Sequence, residues 1–135
     1  MPIRLRLSSL LALDAATCAA MGILLLGAAR PLAAATDIPA GLLTGAGALL
    51  LPIAVFMAIL SRMNTVPRWG VNMVLLGNLG WVIASIALPL TGVISPNLIG
   101  WIALLGQAVA VAVLTGLERD AANAGRNAAQ ARMAA

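Results

Sequence analysis

The stretch Val71 to Leu88, VNMVLLGNLGWVIASIAL, constrains the chain more than any other: it is apolar and long enough to cross a bilayer, yet Asn78, Trp81 and Ser85 interrupt it. Spaced i, i+3 and i+7, these three residues form one narrow stripe on an α-helix. Hydrocarbon offers an amide nothing to bond, so a helix carrying this stripe turns it toward other helices. The remainder of the chain has to supply those helices.

Composition agrees with a membrane setting. Of the 135 residues, 62% are hydrophobic and 9% are charged, where soluble domains carry roughly 25% charged residues. The single Cys18 excludes an internal disulfide, and the lack of histidine removes the commonest metal ligand, haem ligand and general base together. With no tyrosine, three tryptophans and one phenylalanine, there is no aromatic cage or base-stacking platform. Neither a metal, a cofactor nor nucleic acid is therefore expected as a partner. The net charge of +4 comes from eight arginines, all outside the apolar runs, a distribution that reports topology.

Taken in order, Arg4 and Arg6 precede an apolar run from Leu10 to Ala29. The pattern has the look of a signal peptide, but the run is longer than such a core and Arg30 and Pro31 separate it from any small-residue cleavage site, so a retained first span is expected. Cys18 is expected to be a small packing residue. A short connection follows, in which Thr36 or Asp37 would cap the next helix and Pro39 would sit in its first turn. The second span, 42–60, opens with Gly41, Thr44, Gly45 and Ala48 on one face. Gly41 and Gly45 form a GxxxG pair that admits a close helix neighbour, and Pro52 should bend the span.

The polar segment SRMNTVPRWG holds Arg62, Arg68 and an interfacial Trp69. The third span, 71–88, carries Gly77 and Gly80 on a second, small-residue face. After the uncharged turn LTGVISPN, a helix would restart with Ser95 as cap and Pro96 in its first turn, leading into the fourth span, 98–117, which has Trp101 near one end and Gln107 near mid-membrane. The tail, 119–135, is polar and rich in alanine and arginine; it would prolong the last helix by a turn or two and then fray. Arginines concentrate at the N-terminus, in the loop between spans two and three, and in the tail, which by the positive-inside rule places both termini in the cytoplasm. An offset of 58 residues aligns Asp14 with Asn72, Gly22 with Gly80 and Pro31 with Pro89, the trace of a two-hairpin repeat.

Asp14 is the one acid inside an apolar run, about 6–10 Å below the surface at the helical rise, with Asn78 about 10 Å and Gln107 about 15 Å deep. An intramembrane polar cluster of Asp14, Asn78, Trp81, Ser85 and Gln107 is therefore expected, with no second acid within a span to pair with Asp14. Glu118, at the end of the fourth span on the face of Gln107, would pair with interfacial arginines. No HExxH, CxxC, P-loop or GxSxG is present, so no catalytic residue is assigned and a non-enzymatic protein is expected.

LALDA in the first span, NLGWVIASIAL in the third and LLGQAVAVAVLTGLE in the fourth resemble a group of small four-span bacterial inner-membrane proteins. The likeness covers most of residues 7–118 and implies a four-helix inner-membrane fold; it transfers no activity to any residue. The span count and Asp14 are also similar to the small multidrug-resistance transporters, which use a membrane-embedded glutamate; this chain lacks the tyrosines of that substrate site and has a strong arginine bias. The expected object is all-α: one domain of four antiparallel transmembrane helices, acting through helix contacts as an accessory subunit, assembly factor or small homo-oligomer, its partners being the lipid bilayer and itself or another membrane protein. The alternative is a small proton-coupled solute transporter with Asp14 as coupling acid.

Overall fold

The computed structural model describes residues 6–135. Arg4, which contributes to the arginine count, lies outside the described residues. Five helices and no strand occur among them: α1 (Leu7–Gly27), α2 (Ala29–Thr36), α3 (Ala40–Ser61), α4 (Arg68–Leu90) and α5 (Leu98–Ala134). Four of these, all but α2, are long and apolar enough to cross a membrane.

Local chemistry explains where the helices stop. The connection after the first span is itself helical: Pro31 suits the first turn of α2, three alanines extend it, and Asp37 ends it in the left-handed region at φ 56°. Because α2 runs through Thr36, the Thr36 hydroxyl is spent on the Leu32 carbonyl at 2.7 Å and on the Ile38 N–H at 3.4 Å. Neither Thr36 nor Asp37 then caps α3; Pro39 holds that position without a side-chain bond. At the other restart the cap is Asn97 and not Ser95, since the Asn97 carboxamide oxygen accepts the Gly100 N–H at 3.0 Å. Pro52 is accommodated inside α3, which continues unbroken to Ser61. The tail stays helical to Ala134, its alanines and arginines being strong helix formers with no breaker but Gly125.

Two hairpins make the bundle. In the first, α1 and α3 approach through glycines: a β-carbon on Gly22 would meet the Gly47 carbonyl oxygen at 3.1 Å, and one on Gly47 would meet the Gly22 carbonyl oxygen at 2.9 Å. In the second, α4 packs on α5. The hairpins join at one end through an apolar core of Leu11 and Ala15 from α1, Met57 and Leu60 from α3, and Val74 from α4. Gly70 leaves room there for Leu60. At the other end, Asn97 donates its backbone N–H to the Thr36 carbonyl at 3.0 Å and its side-chain amide to the Ala35 carbonyl at 2.9 Å. Gly100 packs directly under that Thr36 carbonyl, with no space for a side chain. Ile23, Leu76 and Ile102 project outward, each more than half exposed, as lipid-facing residues do.

Candidate functional site

The polar cluster is built on three helices. In α1, Leu10, Leu11 and Ala15 are buried around Asp14, so the apolar neighbours rotate the acid inward. In α4 the buried positions Val71, Val74, Asn78 and Ser85 follow helical spacing and turn the amide the same way. In α5 the half-buried Val111, Leu114 and Thr115 lead at i−7, i−4 and i−3 to a fully enclosed Glu118. Asp14 and Glu118 are each 1% exposed and Asn78 is 6% exposed.

One nitrogen ties them together. Asn78 Nδ2 donates to Asp14 Oδ2 at 2.9 Å and to Glu118 Oε2 at 3.3 Å. The two carboxyls therefore flank the same amide nitrogen. The Cys18 thiol, one turn beyond Asp14, makes a long contact of 3.7 Å to Oδ1. Glu118 Oε1 is buried and has no hydrogen-bond partner among the described residues. Two acids therefore meet one amide, and one carboxylate oxygen is left over, an arrangement whose cost depends on its protonation.

Glu118 corrects two expectations: it bonds Asn78 and, among the described residues, no arginine, and it is the second acid that Asp14 lacked on paper. Gln107 does not join the cluster. It lies 11 residues before Glu118, about 16 Å along the helix, which is three turns away on the same face. Ser85 is buried and donates to the Trp81 carbonyl at 2.8 Å, so it serves its own helix, while Trp81 is half-buried. For Trp81 and Gln107 no side-chain bond is found among the described residues. At Gly41, Gly45, Gly77 and Gly80 no atom of the described residues, the glycine's own helix backbone apart, lies within 4 Å of where a β-carbon would stand.

An open cavity of about 1300 Å³ lies at the end of the bundle nearest the acids, between the extension of α5, the start of α1 and the segment joining α3 to α4. Arg6, Arg68, Arg119 and Arg126 line it, together with Asp120. Its inner wall includes Leu10, Leu75 and Leu117, which stand four, three and one residues from Asp14, Asn78 and Glu118. The acids thus sit about one helical turn beneath a basic, open vestibule. No family model, curated protein or solved structure matches this chain.

Proposed function

We propose that the chain is a non-enzymatic, multi-pass protein of the bacterial inner membrane, with both termini cytoplasmic, that works through helix contacts as an accessory subunit, assembly factor or small homo-oligomer. The observation that carries this is the division among its glycines. Gly22, Gly47, Gly70 and Gly100 are filled by neighbours within the chain, whereas Gly41, Gly45, Gly77 and Gly80 face open space on membrane-spanning helices. Small-residue faces in a bilayer bring helix backbones together, so the open ones suit a helix from outside this chain. Single cysteines at Gly41 and Gly45, in a Cys18→Ala background, test the homo-oligomer by oxidative cross-linking in native membranes. Covalent dimers at these positions, absent for cysteines at the lipid-facing Ile23 and Ile102, are expected. A monomer that forms no cross-link and co-purifies with nothing contradicts the proposal.

The buried acids favour a second proposal, a proton-coupled solute carrier with Asp14 as the coupling acid. A carboxyl beside an amide and a second acid supports a group that gains and loses a proton in the membrane. In liposomes under an imposed pH gradient, the carrier predicts solute flux that Asp14→Asn abolishes without unfolding the protein; no flux in the parent protein removes it.

A further inference from the structure

We infer that Asp14 and Glu118 form a single proton-binding site, holding one proton between them around Asn78 and exchanging it with water in the arginine-lined vestibule. The location is that of the second proposal, but the inference needs no transport and gives Glu118 a role equal to that of Asp14.

The atoms around the pair call for one added proton. With both carboxyls ionised, two negative charges would share a single amide nitrogen at 2.9 and 3.3 Å while Glu118 Oε1 faced no donor. Like charges this close, away from water, repel each other with little screening, and one bound proton relieves that repulsion. One proton from hydronium, leaving water behind, converts a carboxylate into a carboxylic acid. The result is one donor and one acceptor where there were two acceptors, and the amide keeps both of its bonds. A metal cation fits the geometry less well, because the space it would take between the carboxylates is held by the Asn78 NH₂.

The groups facing the pair leave it as the titrating unit. From α1 the other titratable group is the Cys18 thiol, whose contact to Asp14 is the long 3.7 Å one. From α4 the facing group is Asn78, which does not titrate, and the α3 side chains in this end of the core, Met57 and Leu60 among them, are apolar. Arg6, Arg68, Arg119, Arg126 and Asp120 line the vestibule, and among the described residues the bonds to the two carboxyls come from Asn78 and, at long range, Cys18. Access comes from that side: Leu117 and Arg119, the residues flanking Glu118, both line the cavity. In the opposite direction α1 and α3 meet backbone to backbone at Gly22 and Gly47.

Infrared difference spectroscopy on the full chain in liposomes, without any gradient, reads the site directly. The parent protein is expected to show one protonated carboxyl per chain at neutral pH, which deprotonates in alkaline buffer. Asp14→Asn and Glu118→Gln are each expected to remove that signal, because the remaining acid then ionises alone beside the amide. Glu118→Asp should keep it with a shifted midpoint, which separates a proton site from a purely structural contact. Circular dichroism on the same samples identifies any variant that has lost its helices, and the parent titration stands whatever the variants do. Absence of a protonated carboxyl at neutral pH, its persistence in both variants, or its release on adding sodium at constant pH would overturn the inference. Because no flux is measured, a protein that fails to transport yet shows the shared proton retires only the carrier.

Discussion

Gly22 and Gly47 meet backbone to backbone: a β-carbon on either would lie within 3.1 Å of the other's carbonyl oxygen. Neither helix can yield locally, since the obstructing atom belongs to the main chain on both sides. Gly47→Ala is therefore expected to force α1 and α3 apart and to cost about 1–3 kcal/mol, the usual range for overpacking. Gly45→Ala, on the open face two residues away, should change stability by less than about 0.5 kcal/mol. Thermal unfolding in detergent micelles distinguishes them, and equal effects would show that the α1–α3 contact is not the tight one.

Among the described residues the amide of Asn78 is the sole donor to Glu118 and the main one for Asp14. Asn78→Ala should destabilise the bundle by about 1–3 kcal/mol, the penalty for leaving buried acceptors without a partner. Replacing all three residues by leucine should recover much of that loss, since an apolar core carries no such penalty. A thermodynamic cycle among the single and triple variants measures it; strict additivity would mean that the three side chains do not act together.

Asn97 has two duties, capping α5 through its oxygen and holding α2 through its nitrogen. Asn97→Asp keeps the cap and loses the tie, whereas Asn97→Ala loses both. The expected order of melting temperature is parent, then Asp, then Ala, with the alanine variant less stable than the parent by about 1–2 kcal/mol. An aspartate variant as unstable as the alanine one would show that the tie to the Ala35 carbonyl dominates.

Beyond residue 123 every residue of α5 is exposed, so helix there rests on intrinsic propensity and not on packing. Amide hydrogen exchange should be fast from Ala124 to Ala134 and slow through Val111 to Glu118, and deletion after Ala124 should leave the midpoint of unfolding unchanged. Slow exchange at Ala129 would instead reveal a stable contact for the tail.

Length and hydropathy made the four long helices legible, because an apolar run near twenty residues has few other uses. Asn78 was equally legible, since its stripe with Trp81 and Ser85 declares an inward face. Glu118 was not: an acid followed by arginine at the edge of an apolar run reads as an interfacial ion pair, and only the register of α5 against α4 shows it enclosed. The face that Gln107 marked was the right one, but the position on it that reaches Asn78 is three turns further along. Register between helices is set by packing across the bundle, which the periodicity of α5 alone does not contain. The helix α2 was not legible, because eight residues are too few for periodicity to separate a helix from a turn.

Everything rests on the chain crossing the bilayer four times, so side-specific labelling of single cysteines in a Cys18→Ala background is the most direct test. Cysteines placed at Asn64 and Gln130 should react with an impermeant reagent only from the cytoplasmic side, and those at Asp37 and Gly92 only from the opposite side. Labelling of residues 37 and 92 from the same side as 64 and 130 would contradict the four-span arrangement outright.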